Sequence, residues 1–314
     1  MNIKTLYSPV IDGIRKVNEK INSIFKKDLF PEIPHNILQG KRLRPLLVLY
    51  TSFAFDELTE EKVNVACAVE LVHFASLIHD DVVDGANLRR NAETLNTSYG
   101  NHTAVLLGDY VFAKAMEHIA KTGKKELFEI LSKTSVEMCE GEIIDEFLDR
   151  EKRFEIENYS ILIKKKTASL FSASCEMGAI ISEYENIEIL KEFGGKFGLL
   201  FQILDDLHDF YTCGEDIRES KVTLPHVLFK EKIKDVFPDF LYKKNYELSK
   251  RVRDYLLENG AIEKSYEFIS SYFKDLKDLV SRVDKPLKDY LYSFIEYIEK
   301  NKIELFNEKK VQTL

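Results

Sequence analysis

Apolar residues recur at three- and four-residue spacing along almost the whole chain and rarely alternate singly. Near the start, Ile11, Ile14, Val17, Ile21 and Ile24 form one stripe, the mark of an amphipathic helix that packs on a core. The same period predicts helices over about residues 44–55, 59–84, 101–121, 125–148, 157–182 and 186–211, each broken by a short polar loop. From about residue 230 onward Tyr, Phe, Leu and Ile keep helical spacing between charged residues, but that third holds no compact chemical motif and reads as scaffold. Neither an internal repeat nor a linker rich in Pro, Gly or Ser interrupts the pattern, so a single all-α domain over 1–314 is expected.

Composition strengthens that expectation. Only 13 Gly, 7 Pro and no Trp in 314 residues favour long helices over a sheet punctuated by turns, and 45% hydrophobic content supplies a large core. A net charge of −8 argues against general nucleic-acid binding, so an anionic substrate needs locally placed Lys and Arg. Cys67, Cys139, Cys175 and Cys213 are widely separated and form no CxxC pair, which indicates neither a disulfide framework nor a zinc site. The N-terminus lacks a basic region leading into an apolar one, and no uninterrupted apolar stretch approaches membrane-spanning length. The expectation is a cytoplasmic chain that is not transmembrane.

The chemistry is carried by two acidic clusters in apolar helical runs, Asp80-Asp81-Val82-Val83-Asp84 and Asp205-Asp206-Leu207-His208-Asp209. Carboxylates in such surroundings are costly unless paired, hydrogen-bonded or bound to metal. On a helix Asp80 and Asp84 lie about 6 Å apart along the axis, and Asp81 is three residues from Asp84, so the first cluster is expected to gather near one face. Sparse oxygen ligands suit Mg²⁺, which bridges one or two carboxylates to substrate phosphates. One such motif alone is more often a solvated helix face; two with apolar flanks favour a shared cation site. Glu70 and His73 have Glu-x-x-His spacing, but the second copy that a di-iron bundle site requires is missing. His79 and His208 read as packing residues, because imidazole suits Mg²⁺ poorly. The basic counterparts are Gly40-Lys41-Arg42-Leu43-Arg44-Pro45, Arg89-Arg90, Lys166-Thr167 and Lys221, while Lys164 and Lys165 read as solvent-facing.

In this order the segments resemble the trans-isoprenyl diphosphate synthases, the polyprenyl synthetase family. Besides the basic and acidic segments above, the resemblance rests on Glu70 through Asp84 as a continuous run, Gly108-Asp109-Tyr110, Gly141-Glu142, Lys166-Thr167-Ala168, Phe201 through Asp209, and Lys221-Val222-Thr223-Leu224-Pro225. It is strong over about residues 36–228 and weaker on either side. The resemblance implies an isoprenoid synthase-type helical bundle around a deep central cavity, normally a homodimer. Asp80, Asp81, Asp84, Asp205 and Asp209 would hold Mg²⁺ on the allylic prenyl diphosphate, with Arg89 and Lys221 adding contacts at the substrate site. Lys41, Arg44, His73 and Arg90 would bind isopentenyl diphosphate, and Lys166, Thr167 and Gln202 would lie near the reacting carbons.

The resemblance also points to where product length is set, along the side chains just upstream of Asp80. Ala75 and Ser76 are small and the deeper Val72 and Val69 do not close the tunnel, so geranylgeranyl or longer products are expected unless another helix supplies a floor through Leu107, Phe112 or Leu131. Three departures stand out. Only Phe210-Tyr211-Thr212-Cys213 separates Asp209 from Gly214, where relatives carry a longer loop with a Gly-Lys; Arg218 is a candidate substitute for that lysine. Asn91 stands where Gly is usual and Asp145 where Gln is common. The rival functions are a terpene cyclase, against which Lys41, Arg44 and Arg90 speak, and a regulatory subunit of a heteromeric synthase.

Overall fold

The structure, a computed structural model, describes residues 3–25, 40–54, 57–89, 92–151, 155–212, 214, 217, 221–240, 242 and 245–300. Arg90, Asn91, Cys213 and Arg218 lie outside the described residues.

Helices α1 (Ile3–Tyr7), α2 (Ile11–Ile24), α3 (Leu43–Phe53) and α4 (Glu60–Val83) open the chain. A two-residue antiparallel pairing of β1 (Leu88–Arg89) with β2 (Ala92–Glu93) follows, then α5 (Leu95–Tyr99), α6 (Asn101–Ala120) and α7 (Lys125–Glu151). Next come α8 (Ile156–Ile163), a π-helical turn (Lys164–Ala168), α9 (Ser169–Ile181) and α10 (Ile187–Thr212). The C-terminal third adds α11 (Leu224–Leu228), α12 (Lys230–Val236), α13 (Tyr246–Glu258), α14 (Ala261–Ser281) and α15 (Leu287–Ile298). The all-α expectation holds, and the helices expected from spacing agree with these bounds to within a few residues. One does not: the stretch expected as a single helix over 157–182 is divided by the π turn.

Each apolar stripe explains where its helix sits. On α2, Ile14, Val17, Ile21 and Ile24 are buried as the periodicity requires, whereas Ile11, at the first position, is 53% exposed and lies off the packed face. Helix α4 is long and apolar enough to cross a membrane by length and composition, but Glu70 and His73 interrupt its apolar run and 67% of that stretch is buried inside the fold. It packs against α3, α6 and α9 as the central core helix. Thr59 starts it, its side chain accepting from Lys62 N at 3.3 Å.

Close approaches between helices are made at glycines. A Cβ on Gly108 of α6 would collide with the His79 ring on α4. The π turn is gripped from two sides: a Cβ on Gly141 of α7 would lie 2.7 Å from Lys166 N, and one on Gly198 of α10 would lie 2.6 Å from Ala168 Cα. Larger residues at these two sites would push the turn away from both helices. The C-terminal third props the core from behind: Phe294 meets Phe197 edge-on at 4.8 Å, and Tyr290 lies 5.1 Å from Tyr50.

Candidate active site

A cavity of about 1340 Å³ opens between α2, α3, α4, α7 and α10. Both acidic clusters reach it, Asp80 and Asp84 from α4 and its C-cap, Asp205, Asp206 and Asp209 from α10. Lys41, Arg44, His73, Arg89, Lys166, Thr167, Gln202 and Lys221 line the same space. Of the described aspartates and basic residues expected at the site, Asp81 alone does not line that wall; Arg90 lies outside the described residues.

The helix period explains Asp81. Residues 80 and 84 are nearly one turn apart and share a face, whereas residue 81 is rotated about 100° from residue 80. Asp81 is therefore buried rather than gathered with its neighbours, and its Oδ1 accepts from Arg89 Nε at 2.7 Å. The expectation that it joins Asp80 and Asp84 as a metal ligand does not match this placement. A built loop returns Arg89 to it: Gly85 takes φ +64, Asn96 Nδ2 donates to Asp81 O at 3.2 Å and Ala86 O at 3.0 Å, and Thr94 Oγ1 donates to Ala86 O at 2.7 Å.

The second cluster repeats the geometry with different partners. Asp205 is exposed to the cavity, Asp209 half-buried, and Asp206 buried. Asp206 Oδ2 accepts from the Tyr159 hydroxyl at 2.6 Å and Oδ1 from Gln202 Nε2 at 2.7 Å. Gln202 Oε1 in turn accepts from Thr167 Oγ1 at 2.7 Å.

Electrostatics shows what the site lacks by itself. Burial, then repulsion from Glu142 and Asp84, pushes the Asp80 carboxyl up to about 7 against the pull of Lys166 and Arg89. Burial likewise pushes Asp206 up to about 7, opposed by the hydrogen bonds from Tyr159 and Gln202. Burial disfavours the charge on Lys166, but Asp145, Glu142 and Asp80 outweigh it and hold the ammonium above its usual range. Its Nζ lies 2.6 Å from Glu142 and 3.0 Å from Asp145. Lys221 Nζ sits 2.9 Å from Asp84 Oδ2. Among the described residues no three His, Cys, Asp or Glu side chains close into a group able to hold a metal alone. An all-oxygen set split between two helices, with one carboxyl held well above its ordinary range, fits a divalent cation completed by a substrate's phosphates.

The basic wall is anchored by a residue whose role no sequence motif signals. Arg42, at φ 47, donates to Asn18 Oδ1 at 2.9 Å and to Glu70 Oε1 at 2.8 Å, a pair 11% and 7% exposed. This turn places Lys41 and Arg44 on either side of a fixed point. The guanidinium of Arg44 lies 4.3 Å from the Phe171 ring centroid. Glu70 is thus an ion-pair partner, not half of a metal motif. The role of Tyr159 is equally silent in the sequence: an aromatic at helical spacing looks like core until its neighbours are known. Lys165, expected to face solvent, pairs with Glu140 at 2.5 Å.

Below the first acidic cluster the wall is formed by Val72, Ala75, Ser76 and Leu77 of α4, Phe112 of α6 and Ser135, Met138 and Cys139 of α7. Of the three residues considered for a floor, Phe112 lines the cavity, while Leu107 and Leu131 are buried away from its lining, as is Val69.

The sequence profile of the polyprenyl synthetase family matches residues 27–256. Heptaprenyl diphosphate synthase component 2 of Geobacillus stearothermophilus is 34% identical over 290 residues, covering 87% of this chain and 90% of its own. A decaprenyl diphosphate synthase from Rhodobacter capsulatus superposes with a TM-score of 0.87 at 27% identity, covering 96% of this chain and 99% of its own. A polyprenyl synthase from Caulobacter crescentus, crystallised with calcium and isoprenyl diphosphate, gives 0.86 at 26% identity, covering 96% and 98%. The chain belongs to the polyprenyl synthetase family, with the all-α isoprenoid synthase fold.

Proposed function

Taking family membership as the premise, we propose that the protein is an Mg²⁺-dependent, chain-elongating prenyltransferase. It condenses isopentenyl diphosphate with an allylic diphosphate to give a trans-polyprenyl diphosphate of geranylgeranyl length or longer, with the whole chain acting as one catalytic domain. The observation that carries this reading is the cavity itself: two acidic helix faces open onto it together with Lys41, Arg44, His73 and Arg89, so two diphosphates can be held side by side.

Asp80, Asp84, Asp205 and Asp209 are the carboxylates suited to hold Mg²⁺, which when bound supplies positive charge to a departing diphosphate. Asp81 serves by fixing Arg89, whose guanidinium reaches the allylic diphosphate together with Lys221. Lys41, Arg44, His73 and Arg90 take the isopentenyl diphosphate. The allylic C–O bond breaks, the isopentenyl double bond adds to the resulting cation, and loss of a proton leaves a longer allylic diphosphate. Lys166, Thr167 and Gln202 border the reacting carbons, and the apolar wall beneath Asp80 houses the tail and keeps water from the cation. The small Ala75 and Ser76 leave that wall open for long tails.

A second reading has an observation of its own. The Geobacillus relative is named as one component of a synthase, and this chain exposes Leu106 on α6 and Val136, Ile143 and Phe147 on α7, each more than half exposed. That apolar face suits a second subunit, which we propose is an identical copy in a cytoplasmic homodimer. Purified protein incubated with isopentenyl diphosphate, each allylic primer in turn and Mg²⁺, with products read by mass spectrometry, tests both readings. Product from the protein alone supports a self-sufficient synthase; none with any primer transfers the proposal to a regulatory subunit that needs a partner.

A further inference from the structure

The chain Tyr159–Asp206–Gln202–Thr167 has a direction, and that direction determines what Thr167 shows the cavity. Both Asp206 oxygens accept, Oδ2 from the Tyr159 hydroxyl and Oδ1 from the Gln202 amide nitrogen at 2.7 Å, and these two donors favour the charged carboxylate against its burial. This turns Gln202 Oε1 toward Thr167, whose single hydroxyl hydrogen is used in the 2.7 Å bond to that oxygen. The oxygen lone pairs of Thr167 are then what remains for the cavity. The Tyr159 hydroxyl holds the other Asp206 oxygen at 2.6 Å, so the carboxylate has no freedom to rotate out of the relay. The whole array is buried or half-buried, where a fixed dipole is screened little.

We propose that Asp206 and Tyr159 are positioning residues that polarise Thr167, so that its oxygen presents the negative end of its dipole to the allylic cation formed at C1. The idea rests on the prenyltransferase reading and adds to it a use for the middle aspartate of the second cluster. The opposite orientation would aim a hydroxyl hydrogen at a developing cation. The π turn supports the assignment: clamped by Gly141 and Gly198, it fixes the Thr167 backbone while α8, just before it, brings Tyr159 to the far side of Asp206.

Asp206→Asn tests it, because the near-isosteric amide can donate to Gln202 Oε1, invert Gln202 and turn the Thr167 hydrogen outward. The expected result is a kcat lower by about 100-fold, the scale of losing one preorganised dipole, with the Kd for a non-ionisable thiolo analogue of the allylic diphosphate unchanged within about twofold. Tyr159→Phe should lower kcat by about 10-fold with the same split. In a Thr167→Val background, Asp206→Asn should cost less than about twofold more, since the group it acts through is gone. An unchanged kcat in Asp206→Asn, or an equal penalty with and without Thr167, overturns the inference. If Asp206→Asn does not fold, the Tyr159→Phe and Thr167→Val cycle decides in the same way. Wild-type protein that makes no product with any primer rejects the underlying function instead, so the two failures are distinguishable.

Discussion

The two acidic clusters are nearly the same in sequence and differ in use. In both, the first and last aspartates reach the cavity and the middle one is buried, but Asp206 still borders the cavity whereas Asp81 does not. The partners of the middle residue separate them. Asp81 meets a cation, Arg89, whereas Asp206 meets two neutral donors, Tyr159 and Gln202. The first cluster thus positions a charge and the second positions dipoles, which on the proposed function serve the diphosphate and the reacting carbons respectively. A further asymmetry lies one turn upstream: Ser76 precedes Asp80 by four residues, and Phe201 precedes Asp205 by four. Phe201 packs 5.4 Å from Phe171 and closes its side, while the small Ser76 leaves the other side open. Similar motifs on two helices therefore sit in different surroundings, one beside an arginine with a small residue one turn upstream, the other beside neutral donors with a phenylalanine one turn upstream.

The largest effect should separate outer from middle aspartate within the first cluster. Asp80→Asn removes a carboxylate facing the cavity and should lower kcat by about 10³-fold, in line with several kcal/mol of charge stabilisation. Asp81→Asn should leave kcat within about threefold and raise the primer KM by about 10-fold or more, because Arg89 loses its anchor. Steady-state kinetics of both variants at saturating Mg²⁺ checks this; equal defects in the two would erase the distinction.

The next effect concerns how the end of the second cluster is supported. Phe210, just after Asp209, meets the ring of His226 edge-on at 5.3 Å, and Phe240 stacks on the same ring at 5.3 Å. Burial pushes His226 down to about 4, and its Nδ1 accepts from Thr223 N at 3.1 Å, which requires the neutral ring. The unfolded chain takes up a proton near pH 6.5 that the folded chain takes only near pH 4. The stabilisation is therefore whole above about pH 6.5 and drains away as the pH falls toward 4. Asp80 and Asp206, held up to about 7, act in the opposite sense over this range and must be cancelled. Urea unfolding of wild type and His226→Leu at pH 7 and pH 4 does so by difference: the wild-type advantage should shrink by about 3 kcal/mol. A difference independent of pH would show that His226 is not held neutral.

Much of this architecture is legible in the sequence. The spacing of apolar residues locates α3, α4, α6, α7 and α10, because amphipathic helices bury the residues that recur every three or four positions, and the segment order identifies the wall of the cavity. The burial of Asp81 is legible in principle, since the rotation that causes it is a property of any helix. The π turn is not: it depends on Gly141 and Gly198 approaching from α7 and α10, contacts far apart in sequence. Nor is the role of Arg42, whose partners Asn18 and Glu70 lie 24 and 28 residues away. Tyr159 is hidden for the same reason, with its acceptor 47 residues on.

A smaller effect should expose the difference between the two walls. Ser76→Phe narrows the open wall and should change the ratio of long to short products by about 10-fold in favour of the short, an energy near 1.4 kcal/mol. Phe201→Ser, the reciprocal change, should not lengthen products, because Phe171 and Phe197 still close that side. Product distributions by mass spectrometry check both, and longer chains from Phe201→Ser would mean the tail grows under the second cluster as well.

The smallest effect lies where the two halves touch. Lys221 follows the second cluster in sequence yet pairs with Asp84 of the first, at 2.9 Å, with side chains 34% and 22% exposed. A partly exposed pair of this kind contributes about 0–1 kcal/mol, so Lys221→Met should move the melting temperature by no more than a few degrees. Its consequence should be kinetic. A lysine that leaves Asp84 for the allylic diphosphate stabilises the bound primer by a comparable amount, so the primer KM should rise about threefold to fivefold while kcat is preserved. A large stability loss would instead make the pair a structural strut between the clusters, and an unchanged KM would confine the work on the diphosphate to Arg89 and the cations held by the outer aspartates.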